Sequence, residues 1–227
     1  MKIGIICAGD TELEPFLEKL TDESPVDKAM LKFHKSTFAG HDIIFLYSGV
    51  CKVNAAIATQ ILIDEFKVDA VINSGVAGGM DPKLKIFDTV ISTETAYHDV
   101  SENILTEFHP WMKSIFFEAD KTLLEKSKKA VKNIKADGNV FWGRMVTGEA
   151  FITDDGRKEI LDKFSPLSVD METAGIAHVC YVNRIPFISI RCITDTADHS
   201  GSEYFEMNCK KASQIAAQIT LALIAEI

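Results

Sequence analysis

Apolar positions along this 227-residue chain form two patterns that alternate from one end to the other. Short runs rich in apolar and β-branched residues are typical of strands that are buried on both faces of a sheet. These runs are residues 2–8, 43–47, 68–73, 87–92, 138–147 and 187–193. Stretches with apolar residues at helical spacing lie between and after them. These stretches are residues 53–66, 121–134, 157–164, 174–181 and 209–227.

The alternation of the two patterns predicts the fold class. Strands interleaved with helices favour an α/β fold in which a mostly parallel sheet is covered by helices on both faces. The sequence contains no internal repeat and no linker rich in Pro, Gly or Ser, so we expect residues 1–227 to form a single domain. Thr11 to Glu14 resemble a capping box, which predicts that a helix opens there. Residues 97–120 are the least regular stretch and the expected place for a lid or a subunit contact.

Composition and charge narrow the classes of ligand. The formal net charge is -9 and no basic patch stands out, which argues against nucleic acid or an anionic membrane as the main partner. No apolar run reaches the roughly 18 residues that a membrane span needs. The first residues carry no signal-peptide cleavage pattern, so we expect a cytoplasmic location. A small molecule is the favoured ligand.

Motifs for metals and organic cofactors are missing from the sequence. The six histidines show no metal-ligand spacing, and the five widely spaced cysteines predict free, mostly buried thiols rather than disulfides. The segment GIICAGD after the first apolar run lacks the G-x-G-x-x-G spacing of dinucleotide-binding proteins, which argues against a dehydrogenase. We therefore expect neither a catalytic metal nor a bound cofactor.

Glycines and carboxylates at the ends of predicted strands are the main chemical signals. The three glycines of residues 74–79 (SGVAGG) would let backbone amides approach a ligand closely, although an ordinary tight turn fits equally well. Asp170 and Glu172 flank Met171 where a short strand turns into a helix, and a solvated acid at a helix N-terminus is the plain alternative there. Asp195 ends a strand that should be buried, where a carboxylate is costly unless it is paired or used.

Taken together, these segments resemble the 5′-methylthioadenosine/S-adenosylhomocysteine nucleosidases of the purine nucleoside phosphorylase superfamily. The matching pieces occur in family order over residues 1–209, and the stretch near residues 100–120 departs from the family pattern. They are MKIGII with Glu12, SGVCKVNAA, NSGVAGG, DTVIS with YHD, TGEAFI, VDMETAGIAHVC and RCITDTAD. The resemblance implies a three-layer αβα sandwich with a central mixed, mostly parallel twisted sheet. It also implies a homodimer that hydrolyses an adenine nucleoside without a cofactor or a metal.

The resemblance further implies a role for each matching residue. Asp195 corresponds to the general acid that protonates N7 of the purine, and burial at a strand end would raise its pKa for that purpose. Glu12 corresponds to the general base that activates the attacking water. Glu172 and Met171 correspond to the pair that holds the ribose, and Arg191 would help to orient Glu12 or the water.

The remaining matching residues would line the substrate pocket. They are Val50, Val76, Ala77, Gly78, Phe151, Ile152 and Phe205. Phe151 is expected to stack on the purine, while the backbone of Ile152 reads its exocyclic amine and ring nitrogen. Val50 and Phe205 fall where the family lines the site of the 5′-alkylthio group. Val76 departs from the family, which usually has a serine at this position.

Two other functions fit parts of the sequence. A phosphorylase, using phosphate in place of water, would need cationic side chains, typically an arginine just before the glycine of the SGVAGG segment. This chain has Asn73 and Ser74 there, and Glu12 would repel phosphate, so hydrolysis is favoured. A non-catalytic nucleoside-binding module would not need both an acid and a base, so the presence of Glu12, Glu172 and Asp195 together favours an enzyme.

Overall fold

A computed structural model describes residues 1–21, 24–153 and 156–227 of the chain. Ten strands and seven helices alternate along these residues. The strands are β1 (Lys2–Cys7), β2 (Val26–Lys28), β3 (Leu31–Phe38), β4 (His41–Tyr47), β5 (Ala70–Gly79), β6 (Thr89–Tyr97), β7 (Phe117–Glu118), β8 (Val140–Thr147), β9 (Ser168–Asp170) and β10 (Phe187–Asp195). The helices are α1 (Asp10–Lys19), α2 (Lys52–Asp64), α3 (Glu102–Glu107), α4 (Lys121–Asn133), α5 (Arg157–Phe164), α6 (Thr173–Asn183) and α7 (Ser202–Glu226).

Every strand and helix predicted from the apolar patterns has a counterpart in the structure. The bounds of α5 equal the predicted ones, whereas α7 begins earlier than expected, at Ser202. The predicted capping box is wrong in its residues, because α1 begins at Asp10 and its N-cap is Gly9. The side chain that reaches back is that of Glu12, which accepts a hydrogen bond from the N–H of Gly9 at 3.1 Å.

Four elements, β2, β3, β7 and α3, were not predicted from the sequence. β3 forms an antiparallel hairpin with β4 near one edge of the sheet, and its exposed positions carry polar residues such as Lys32 and Thr37. Because polar residues are mixed with the apolar ones, this segment contains no continuous apolar run, and the strand was not predicted. β7 has two residues and α3 has six, which is too short for an apolar periodicity.

Residues 74–79 form the second half of β5, so the turn considered from the sequence is wrong. They pair with β10 along most of their length. The glycines do not reverse the direction of the chain. They allow side chains from other segments to approach β5 closely. A Cβ atom at Gly75 would lie 2.6 Å from Nη1 of Arg191, so no larger residue fits there without displacing that side chain.

The strands form one mixed sheet in the order β10-β6-β8-β9-β5-β1-β4-β3-β2, with β7 paired to β6. β10 also pairs with β5, so β5, β10, β6, β8 and β9 close into a ring. β5 is long enough to pair with β1 along Ala70–Asn73 and with β9 at Gly78 and Gly79. Its first half therefore joins the open part of the sheet, and its second half completes the closed ring. The predicted mixed α/β fold is confirmed, but the simple sandwich describes only the open half of the sheet.

The sheet is mixed, and its longest strand pairings are parallel, as predicted. Within the described residues, five strand pairings are parallel and five are antiparallel. The antiparallel pairings are mostly short and include the hairpin of β3 with β4 and the pairs β10–β6 and β5–β9. Runs buried on both faces occur in closed mixed sheets as well, so the apolar pattern did not indicate that the sheet closes.

Helices cover both faces of the open part of the sheet. One apolar cluster joins α1, α4 and α7 to one face and includes Ile5 and Phe45. A second cluster joins α2 and α6 to the opposite face and includes Ile6 and Leu46. Because successive residues of a strand point to opposite faces, Ile5 and Ile6 enter different clusters. This is why the strands are continuously apolar instead of alternating.

All five cysteines are free, which confirms the prediction made from their spacing. Cys7, Cys180, Cys192 and Cys209 are buried, and Cys51 is partly buried. None of the helices in the described part of the chain combines the length and the apolar character needed to cross a membrane.

Candidate active site

A cavity of about 540 Å³ opens at the carboxyl ends of strands β1, β5, β9 and β10. Ligands of α/β proteins commonly bind at this edge of the sheet. Eleven of the twelve residues assigned to the site from the sequence line this cavity. They are Glu12, Val50, Val76, Ala77, Gly78, Phe151, Ile152, Met171, Glu172, Asp195 and Phe205. The twelfth, Arg191, lies behind the wall and is fully buried.

Glu12 is fixed by backbone donors from two elements. Its Oε2 accepts hydrogen bonds from the N–H groups of Ala8 and Gly9, which immediately precede α1. Its Oε1 accepts a hydrogen bond of 2.7 Å from the N–H of Val76 in β5. The residue is only 5% exposed, so these donors define where its carboxylate faces the cavity.

Arg191 is the centre of a buried charge cluster. Its Nη2 lies 2.9 Å from Oε2 of Glu172, and its Nε lies 3.1 Å from Oδ2 of Asp170. Its Nη1 lies 3.4 Å from Oε1 of Glu12. Burial opposes the charge on the guanidinium, but the three carboxylates raise the pKa of Arg191 above its ordinary value. Arg191 therefore orients carboxylates, Glu12 among them, from a position behind the cavity wall.

Asp170 is the member of this cluster to which the sequence assigned no role. Its Oδ1 accepts hydrogen bonds from the hydroxyl of Thr147 at 2.6 Å and from the N–H of Thr173 at 3.1 Å. The alternative of a solvated acid is wrong for both Asp170 and Glu172, which are 8% and 4% exposed. The sequence feature that could have indicated a role for Asp170 is a carboxylate at the end of a buried strand. The same feature indicated a role for Asp195.

A network of neutral polar groups extends the cluster into the sheet. Oδ1 of Asn73 accepts hydrogen bonds of 2.9 Å from the hydroxyls of Thr173 and Ser189. Nδ2 of Asn73 donates to the carbonyl of Ile6 at 3.0 Å. The network joins β1, β5, α6 and β10. Single neutral polar residues inside apolar runs gave no sequence signal, so these positions were missed.

Glu172 connects the charge cluster to the first turn of α2. Its Oε1 accepts a hydrogen bond of 2.9 Å from the N–H of Cys51. Cys51 has a φ of 83° and a ψ of 161°, a conformation that is favourable only for glycine. Burial raises the pKa of Glu172 to about 7; Arg191 opposes this effect, while Asp170 and Glu12 reinforce it. Glu172 therefore exchanges its proton near neutral pH.

Asp195 lies apart from the charge cluster, at the end of β10. It is 1% exposed, and its Oδ1 accepts a hydrogen bond of 2.8 Å from the hydroxyl of Thr194. Burial raises the pKa of Asp195, although the Thr194 hydrogen bond and the charge of Arg157 act in the opposite direction. A carboxyl group in this environment keeps its proton to higher pH than an exposed aspartate does.

β5 lies beside both Glu12 and Asp195. A Cβ atom at Gly75 would lie 2.5 Å from Cδ of Glu12, and one at Gly78 would lie 3.2 Å from Oδ2 of Asp195. Both carboxyl groups thus approach the second half of this strand, and both residues line the same cavity. Two carboxyl groups that face one cavity can serve as acid and base in the hydrolysis of a glycoside.

The rest of the cavity wall is mainly apolar. The rings of Phe151 and Phe205 meet edge to face with centroids 6.1 Å apart. Phe151 and Val50 are 43% and 49% exposed, which places them at the mouth of the cavity. Val76 is buried and packs in the apolar cluster that contains α1 and α7, so this residue contributes its main chain to the site and its side chain to the core.

Charged groups on the cavity wall are all acidic within the described residues. They are Asp10, Glu12, Asp170, Glu172, Asp195 and Glu206. The guanidinium of Arg191 is already paired with three carboxylates, so its positive charge is not available to a ligand in the cavity. The cavity therefore favours a neutral ligand, or one that becomes positively charged during a reaction, over an anion.

The class of protein follows from comparison of this fold and site with known families. The sequence model of the Phosphorylase superfamily matches residues 2–225. A 5′-methylthioadenosine/S-adenosylhomocysteine nucleosidase of Exiguobacterium sp. is 37% identical over 227 residues, which cover 98% of this chain and 97% of that protein. The chain belongs to the 5′-methylthioadenosine/S-adenosylhomocysteine nucleosidase family within this superfamily.

Solved structures of the same family have the same fold. The nucleosidase of Neisseria meningitidis in complex with methylthio-immucillin-A has a TM-score of 0.91 and 31% sequence identity, covering 100% of this chain and 99% of that one. The nucleosidase of Colwellia psychrerythraea in complex with adenine has a TM-score of 0.90 and 34% identity, covering 100% and 95%.

The raised pKa of Glu172 predicts that stability depends on pH. The folded protein holds this proton up to about pH 7, whereas an unperturbed glutamate loses it near 4.5, so the folded state binds more protons between these values. The free energy of unfolding should therefore fall as pH rises from 4.5 to 7. For this group alone the decrease is on the order of 2 kcal/mol.

Denaturant unfolding at several pH values across that window measures this effect. Glu172→Gln cannot titrate and should show a smaller decrease in unfolding free energy than the unmodified protein. Asp195 contributes with the same sign, so some pH dependence is expected to persist. Glu203→Gln, at an exposed position on α7, is the control and should keep the full dependence. Equal pH dependence in all three proteins would contradict the prediction.

Proposed function

We propose that this protein hydrolyses the N-glycosidic bond of 5′-methylthioadenosine, S-adenosylhomocysteine or a related 5′-substituted adenosine, releasing adenine and the thioribose. The reaction would serve methionine salvage and recycling in the methyl cycle. The observation that carries the proposal is that a buried Asp195 with a raised pKa and a backbone-held Glu12 line the same cavity. We place the reaction in a single domain, residues 1–227, working in the cytoplasm.

The leaving group determines the need for Asp195. Adenine leaves poorly as an anion, so N7 must gain a proton while the bond between N9 and C1′ breaks. The proton moves from the carboxyl group of Asp195 to N7, and the bonding electron pair moves to the base. The ribose becomes oxocarbenium-like. Burial raises the pKa of Asp195, which keeps the proton available for this step.

The nucleophile is a water molecule that Glu12 activates. As C1′ becomes electron-deficient, Glu12 takes a proton from the water and the hydroxyl adds to C1′. The N–H of Val76 and the guanidinium of Arg191 hold the Glu12 carboxylate in position for this step. Glu172 accepts hydrogen bonds from the 2′- and 3′-hydroxyls of the ribose, and Met171 packs beneath the sugar.

The purine and the 5′ group bind in the apolar part of the cavity. Phe151 stacks on the purine ring, and the main chain of Ile152 matches the donor and acceptor pattern of adenine. Val50 and Phe205 contact the 5′-alkylthio group. The named relatives with bound adenine and methylthio-immucillin-A support the choice of an adenine nucleoside.

Water, rather than phosphate, is the nucleophile in this proposal. No lysine or arginine among the described residues lines the cavity, and a phosphate beside Glu12 would meet a second negative charge. Arg191 is already paired with Glu12, Asp170 and Glu172. These charges weigh against a phosphorylase, and the pairing of an acid with a base weighs against a non-catalytic nucleoside-binding module.

Product analysis with a panel of nucleosides tests the proposed reaction. We expect adenine and a free sugar from 5′-methylthioadenosine and S-adenosylhomocysteine, at rates that do not change when phosphate is added. Inosine should be a poor substrate because its base has a different donor and acceptor pattern. A sugar 1-phosphate as product would support the phosphorylase instead, and no cleavage of any nucleoside would overturn the proposal.

Asp195→Asn should slow hydrolysis of 5′-methylthioadenosine by roughly 10²–10⁴ because the general acid is lost. Cleavage of a nitrophenyl riboside should be largely preserved, since nitrophenolate leaves without a proton. Steady-state rates on both substrates measure the difference. Asp162→Asn, an exposed carboxylate on α5, should leave both rates unchanged. Equal losses on the two substrates would show that Asp195 does not act as the acid.

We also propose that the protein is a homodimer. Large exposed apolar side chains lie on α2, on α6 and in the loop after α3. They are Val53, Ile57, Phe108, Trp111, Tyr181 and Val182, with exposed fractions of 45% to 67%. α2 and α6 pack together in one cluster, and we take these exposed side chains as the apolar surface that a second copy of the chain would cover. Cys51 is the N-cap of α2 and its N–H contacts Glu172, so a partner on this surface would lie beside the 5′ end of the cavity.

A charge placed on the apolar surface should prevent association. Val53→Glu introduces a carboxylate at a position that is 67% exposed in the single chain, so folding should be unaffected. Sedimentation velocity should show a dimer for the unmodified protein and a monomer for the variant. Leu17→Glu, on α1 at the opposite face of the sheet, is the control and should sediment as a dimer. A dimer of Val53→Glu would place the interface elsewhere.

A further inference from the structure

Arg157 is a buried cation outside the charge cluster, and sequence reasoning gave it no role. It is the first residue of α5 and is 6% exposed. Its Nη1 donates a hydrogen bond of 2.7 Å to the carbonyl of Gly79. Its Nε and Nη2 are buried and have no hydrogen-bond partner among the described residues. A guanidinium in this state is costly for folding, which indicates that its charge serves a function.

The anchoring of Arg157 places its charge beside Asp195. Gly79, which it binds, follows Gly78, and Gly78 pairs with Asp195 between β5 and β10. A Cβ atom at Gly79 would lie 3.3 Å from the carbonyl oxygen of Asp195, and one at Gly78 would lie 3.2 Å from Oδ2 of Asp195. The guanidinium of Arg157 is therefore anchored at Gly79, the strand residue next to Gly78, whose Cβ position lies close to the Asp195 carboxyl group. Its charge lowers the pKa of Asp195, against the effect of burial.

The other elements around Asp195 bring little compensating charge. β5 contributes glycines, and β10 contributes the neutral Thr194 hydroxyl, which donates to Oδ1 of Asp195. α7 contributes Asn208, which donates to the carbonyl of Thr194, and Glu206 on the cavity wall. Among the described residues, Arg157 is the one cation that acts on Asp195.

We propose that Arg157 is a positioning residue that acts through Asp195, stabilising the carboxylate that forms when the acid gives up its proton. The inference rests on the proposed hydrolysis. In that reaction the proton passes from Asp195 to N7 as the N9–C1′ bond breaks, and the new negative charge on Asp195 forms in a buried site. A fixed guanidinium nearby favours that charge without moving. Arg157 thereby makes a buried aspartate a stronger acid.

Two substitutions separate the charge of Arg157 from its structural role. Arg157→Gln removes the charge and keeps a donor for the carbonyl of Gly79, whereas Arg157→Lys keeps the charge. Arg157→Gln should lower kcat on 5′-methylthioadenosine by about tenfold, because Asp195 becomes a weaker acid. The basic limb of the pH profile of kcat/KM should move to higher pH by about one unit, because the pKa of Asp195 rises when the cation is lost. Arg157→Lys should restore most of the rate and the original limb.

A second substrate and a surface control complete the test. Cleavage of a nitrophenyl riboside, which needs no acid, should be unchanged in Arg157→Gln. Lys158→Met, at the exposed neighbouring position on α5, should behave as the unmodified protein. Equal losses on both substrates, or an unchanged basic limb in a slower Arg157→Gln, would overturn the inference and leave Arg157 a structural residue. Failure of the unmodified protein to cleave any adenine nucleoside would instead overturn the proposed function.

Discussion

The pairing of Arg191 with three buried carboxylates is the interaction on which the site depends. Ions of this kind lose their hydration on folding, and only mutual attraction and further hydrogen bonds offset that loss. Removing one partner from a buried cluster typically costs about 3–5 kcal/mol because the remaining charge is uncompensated. The carboxylates come from α1 and from the junction of β9 with α6, so the guanidinium on β10 fixes the relative positions of separate segments.

The same interactions explain unusual features of the backbone. β5 needs glycine at position 75 because Glu12 and Arg191 occupy the space of a side chain there. Cys51 adopts a conformation suited to glycine, and its N–H thereby reaches Glu172. Strained backbone of this kind persists where the surrounding contacts over-determine it, which is common at functional sites. The fold and the site are thus stabilised by one shared set of contacts.

The acid and the base of the proposed reaction lie in different electrostatic surroundings. Glu12 is surrounded by main-chain donors and Arg191, which suit a charged carboxylate. Asp195 is buried, which favours a carboxyl group that keeps its proton, whereas its one hydroxyl donor and the guanidinium held to the neighbouring strand favour the charged form. Two carboxyl groups with opposite tasks are distinguished in this way by environment rather than by residue type.

The sequence by itself determined most of the strands and helices, the family and many of the cavity-lining residues, because apolar periodicity and short motifs are local properties. Only the tertiary structure decided that β10 closes onto β5, that Asp170 belongs to the charge cluster and that Arg191 lies behind the wall. It also placed Arg157 beside Asp195. The physical reason is that the closure of the sheet, the burial of a side chain and the distance between two charges depend on contacts between segments that are remote in the sequence. A local sequence pattern carries no information about those contacts.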